Sequence, residues 1–180
     1  MEDFATDIEN ALQTLAAEEI VFFPAAFGFT LAVDATQANA VHQLQKLADA
    51  NNFTSIILMS DERQLMQHAT TIDLEVFNFL DEQQLPTAIL YNNIVGLADE
   101  ALSKTATAFI LIDKSNFSKT LIKRFRKPLF AVWLNSRSTN FQSFAHYVVA
   151  NNQQSENQFQ ALQFFSWVDN EAVALNIAHL

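Results

Sequence analysis

The stretch Ile20-Val21-Phe22-Phe23-Pro24-Ala25-Ala26-Phe27-Gly28-Phe29-Thr30-Leu31-Ala32-Val33-Asp34 decides the fold. Four apolar residues run up to a proline, whose ring carries no amide donor, so 20–23 reads as a buried strand that Pro24 stops. Residues 28–34 read as its antiparallel hairpin partner. Upstream, Thr6-x-x-Glu9 fits a capping box, and Ile8, Ala11, Leu12 and Leu15 recur at helical spacing, which predicts a helix over 8–16. Downstream, Val41, Leu44, Leu47 and Ala48 give 37–48 one apolar stripe. A buried strand follows at 55–59, then a helix capped by Ser60, and another through Leu74, Phe77 and Leu80. Strands are expected at 87–91, 108–112 and 128–134, with a helix at 117–126 between the last two. Residues 139–149 read as helical, 151–158 as a polar loop, and 161–168 and 172–177 as closing strands. With no repeat and no linker, the chain is expected to be one α/β domain over 1–180, a twisted mixed β-sheet flanked by helices.

Composition narrows the chemistry. The 180 residues are half apolar, enough for one real core and short for two. Absence of cysteine excludes disulfides, thiolate metal sites and cysteine nucleophiles. Two glycines, where average usage gives about twelve, exclude the glycine-rich phosphate loops. The net charge of −10 argues against general nucleic-acid binding. No signal peptide or membrane-length apolar run is visible, so a cytoplasmic protein that does not enter a membrane is expected.

The charge is unevenly placed. Eight of the ten basic residues lie between Lys104 and Arg137, where Asp113 is the sole acid. Lys119, Lys123 and Arg126 share one helical face, and Phe117, Leu121 and Phe125 the other. Together with Arg124 and Lys127 they form a strip that either docks a polyanion such as RNA or is a solvated face.

Other candidates are few. His42, His68, His146 and His179 show no metal-binding spacing, so no metal site is expected. Ser136-Arg137-Ser138 follows a strand but lacks the glycines of a nucleophile turn. The acid pairs Asp81-Glu82 and Asp99-Glu100 read as loops or helix starts. No catalytic residue is assigned. Trp133 and Trp167 fall on strands, where burial is expected.

Over 20–135 the order and spacing of short motifs resemble the YrdC-like family of L-threonylcarbamoyl-AMP synthases. The family's P-T-E-[ST]-x-[YF]-G-[LI]-G-[CA]-D aligns without gaps on residues 24–34. Ala40-Val41 and Leu44 match its next helix, Leu85-Pro86-Thr87 its W-P-G-P-x-T strand entry, and residues 127–135 its G-x-P-L-x-S-T-S-A-N frame.

The resemblance implies a YrdC-like fold and, in an active member, synthesis of threonylcarbamoyl-AMP from threonine, bicarbonate and ATP for tRNA modification. The departures fall on the chemistry. The family's Thr-Glu is Ala25-Ala26, and its two motif glycines are Thr30 and Ala32. The cations of its K-x-R fall on Ala48 and Ala50, and the arginine of its V-R-x-P on Leu111. Its serines fall on Ala131 and Trp133, and Asn135 alone is kept. The resemblance therefore implies a vestigial cleft of Ala25, Ala26, Phe29, Ala48, Ala50, Leu111, Trp133 and Asn135. Three uses follow: a catalytically inactive module binding a protein or small ligand, an RNA-binding domain using the basic strip, or a residual nucleotidyltransferase. No cofactor is expected for the first two, and ATP and magnesium only for the third, which needs cations entering from elsewhere, such as Lys127 or Arg137.

Overall fold

The computed structural model describes residues 2–134, 141–149 and 159–177. Nine strands form one mixed sheet in the order β7-β1-β2-β6-β3-β5-β4-β8-β9. They are β1 (Val21–Ala25), β2 (Gly28–Asp34), β3 (Thr54–Met59), β4 (Thr87–Tyr91), β5 (Ala108–Ile112), β6 (Leu129–Trp133), β7 (Tyr147–Val148), β8 (Gln163–Val168) and β9 (Glu171–Leu175). The helices are α1 (Glu2–Ala16), α2 (Ala38–Asn51), α3 (Glu62–His68), α4 (Glu75–Glu82) and α5 (Asn116–Phe125). The 20–34 stretch folds as the expected hairpin, with Ala25 opposite Gly28. Ala26 and Phe27 make the turn, and Gly28 leaves it with φ of 136°, a conformation that other residues enter only under strain.

Alternation along the strands builds two cores, one on each side of the sheet. Phe29, Leu31 and Val33 of β2 join Phe130 and Val132 of β6 beneath α2. Ala32, Leu129 and Ala131 point the other way and pack with Ile8 and Leu15 of α1 and Leu121 and Ile122 of α5. Each large apolar side chain removed from water contributes about 1.5–3 kcal/mol, so both helical layers are held chiefly by these faces.

Several local expectations are corrected. Pro24 lies inside β1 rather than after it. The carbonyls of Ile20 and Phe22 accept from His146 and Val149 on the β7 side. Alternation puts the missing Pro24 amide on that side too, beyond the two-residue β7, where no ladder bond is needed. Thr6 is interior to α1, which already begins at Glu2, so it cannot cap it. The N-cap of α3 is Asp61, not Ser60: Asp61 accepts from the Gln64 amide, and Gln64 Oε1 accepts from the Ser60 amide. Arg126 ends α5 in the left-handed region. Within 139–149 the described residues form a 3-10 turn, Gln142–Phe144, and β7, not a helix. Phe141 packs edge-on against Phe53, and β7 pairs with β1, so contacts distant in sequence override the local periodicity. Asp81-Glu82 ends α4, and Asp99-Glu100 opens a 3-10 turn, Asp99–Ala101. The polar stretch 151–158 lies outside the described residues.

Candidate functional site

A cleft of about 780 Å³ opens where β3 and β5 end and β4 begins. Neighbouring β3 and β5 run parallel, each followed by a helix, so their carboxyl ends leave a crevice at the sheet edge. One wall is the turn from β5 into α5, carrying Asp113, Lys114, Ser115, Lys119 and Lys123. The facing wall is the start of α3, with Ser60, Asp61, Glu62 and Arg63. The rim is the α4–β4 connection, with Asp81, Gln83, Gln84, Pro86 and Thr87. Ala26, Leu111 and Gln160 complete it.

Asp113 ties this site together. It is 1% exposed, and its Oδ1 accepts from the Ser115 amide at 2.8 Å and the Ser115 hydroxyl at 2.7 Å. Its Oδ2 accepts from the Ala26 amide at 3.3 Å, clamping the hairpin tip against the cleft wall. Burial pushes its carboxyl above the ordinary value, opposed by those hydrogen bonds. Ser115 holds the N-cap position of α5 without capping an amide through its side chain, since its hydroxyl turns back to Asp113. The helix is anchored through Phe117, Leu121 and Ile122, which leaves Lys119 and Lys123 outside.

The family-aligned positions do not share one cavity. Ala25, Leu111 and Ala131 are buried in the core beneath α1 and α5, and Trp133 packs there against Phe164 at 5.3 Å. Phe29 turns to the opposite face, between Phe22 and Phe159. Ala48 lies on the buried face of α2, and Ala50 on its exposed face. Ala26 and Leu111 alone of this set line the cleft. Asn135, the candidate nucleophile stretch Ser136-Arg137-Ser138 and His179 lie outside the described residues. Trp133 is turned into the core by strand alternation rather than obstructing the cleft.

The basic strip is exposed throughout but splits in two. Arg124 pairs with Glu9, and Lys127 pairs with buried Asp34 at 3.2 Å while sitting over the Phe125 ring. Lys119 and Lys123 instead face the cleft, joined there by Lys114 and Arg63. Lys127 is therefore not the cation that enters the site; these four are. The sequence held the signal, since 119 and 123 are one helical turn apart, but their meeting with Ala26 and Leu111 is tertiary. Among the described residues no cluster of three metal-ligating side chains occurs, and no helix is long and apolar enough to cross a membrane.

No curated protein matches the sequence. Solved structures do match the fold. A variant of P. abyssi Sua5 superposes with a TM-score of 0.75 at 15% identity, covering 94% of this chain and 55% of that one. Full-length HypF, in its phosphate- and nucleotide-bound form, gives 0.72 at 18%, covering 94% and 28%. E. coli YciO gives 0.66 at 10%, covering 94% and 87%. The chain thus spans about half of Sua5 and little over a quarter of HypF. The family model described as telomere recombination, Sua5/YciO/YrdC, matches residues 13–162. With the mixed sheet and the hairpin frame in place, the chain belongs to the Sua5/YciO/YrdC family.

Proposed function

We propose that this chain is a non-catalytic binding module of its family, related to the proteins that make threonylcarbamoyladenosine in tRNA, and that it holds a small ligand in the cleft between α3, β4 and α5. The observation that carries this reading is the burial of apolar side chains at the aligned chemical positions. Ala25, Ala48 and Ala131 are fully buried and Leu111 is 2% exposed. Adenylation needs donors fixed on the transferring phosphates in the transition state. Alanine and leucine packed in a core supply none. The RNA reading is disfavoured, because Arg124 and Lys127 are engaged within the protein and the remaining surface is acidic.

The test is pyrophosphate release from ATP and magnesium with bicarbonate, with and without threonine. No threonine-dependent release is expected. Release that requires threonine would overturn the reading in favour of a residual nucleotidyltransferase. Gel-shift titration with tRNA tests the RNA alternative, and no binding is expected at physiological salt.

A further inference from the structure

We infer that the cleft takes a small, non-aromatic, multiply charged anion, a phosphorylated or polycarboxylate metabolite, gripped by Lys114, Lys119 and Lys123 with Arg63 opposite. This rests on reading the cleft as a binding site and names its ligand class.

The cleft's charges balance in number, and their placement favours an anion on one wall. Four cations line the cleft, and none of them forms an ion pair among the described residues. Four acids line it as well: Asp61 caps α3, Asp113 is buried beneath the β5–α5 turn with its oxygens taken by Ser115 and Ala26, and Glu62 and Asp81 stand exposed. Lys114, Lys119 and Lys123 all stand on the β5–α5 wall, away from those two acids on α3 and α4. The ligand is therefore drawn to α5. Its distal groups meet the side-chain amides of Gln83, Gln84 and Gln160, a set able to donate to oxyanions and hydroxyls.

Size and composition restrict the ligand. A volume of about 780 Å³ suits a metabolite rather than a macromolecule. The chain has 17 phenylalanines, yet no aromatic residue lines the cleft, so no stacking platform for a base is present there. The overall charge of −10 repels an extended polyanion, whereas a small anion inside the cleft sits within roughly one Debye length, about 8 Å, of the lysines.

Calorimetric titration with inorganic tripolyphosphate and with citrate, at low and moderate salt, tests this. At least one should bind, with affinity falling as salt rises, and the better of the two identifies phosphate or carboxylate chemistry. The variant Lys119→Gln/Lys123→Gln should weaken binding by roughly a hundredfold. Arg126→Gln, which removes one charge from an exposed residue outside the cleft, should weaken it less than about twofold. All these side chains are exposed, and unchanged melting temperatures verify that the variants fold. Binding of neither probe overturns the inference, as does equal weakening by Arg126→Gln, which would mark diffuse electrostatics. ATP binding far tighter than tripolyphosphate would also overturn it, because a base would then be recognised. Pyrophosphate release would count against the non-catalytic reading alone, so the two failures are distinguishable.

Discussion

The floor of the sheet and the wall formed by α5 are built in opposite ways. On the floor, positions 25, 111 and 131 hold small or apolar side chains packed into a core. On the wall, ten residues of helix present Lys119 and Lys123 to a cleft while Leu121 and Ile122 bury the other side. A strand inside a two-sided sheet has both faces committed to packing, so a lost polar group there is replaced by core. An outer helix has one free face, and charge can be gained on it at almost no cost in stability.

The sharpest way to break this contrast is Leu121→Ala. If the wall stands on its apolar anchor, the variant loses about 2–5 kcal/mol in urea denaturation. A loss under about 1 kcal/mol would mean that α5 is held by its charges. Next comes Gly28→Ala at the hairpin exit. Its positive φ should cost about 1–3 kcal/mol, with space playing no part, since nothing lies within 4 Å of the added Cβ. Equal stability would show that the turn can be rebuilt without glycine.

Asp113→Asn sharpens the comparison where floor and wall meet. The folded carboxyl titrates above its unfolded value because burial disfavours its charge. Its favourable contribution is therefore complete below the unfolded value, near pH 4, and is lost as pH rises through the folded value. Relative to Asp113→Asn, the native chain should lose stability over that window, as read from paired melting curves at successive pH values. Parallel curves would remove Asp113 as the cause. The smallest effect belongs to Arg124→Gln. Both partners are about half exposed, so breaking the pair with Glu9 should cost no more than about 1 kcal/mol.

Much of the architecture was legible because it rests on local periodicity. The hairpin, α1, α2 and α5 each follow from one apolar stripe or one alternating run, and Phe29, Leu31 and Val33 already mark one face. The motif order over 20–135 added the family frame. What escaped was non-local. Phe141, Phe144 and Tyr147 can be placed on a helix, but their partners are Phe53 and β1, far back in the chain. The cleft escaped for the same reason. Lys119 reads as a solvated helix residue until the β5–α5 turn sets it beside Ala26 and Thr87.

The strand order carries a consequence for how the chain is made. β1 and β2 close on each other at once, but β2 must wait for β6, about a hundred residues later, and β1 for β7, later still. Until then a nascent chain leaving the ribosome displays Phe22, Phe23 and Phe29 on a hairpin with both edges unpaired. Distant pairings of this kind slow folding and expose sticky surface while it proceeds. Yield during synthesis, more than stability once folded, is thus where this topology is most vulnerable, and chaperones that cover apolar hairpins are the natural safeguard.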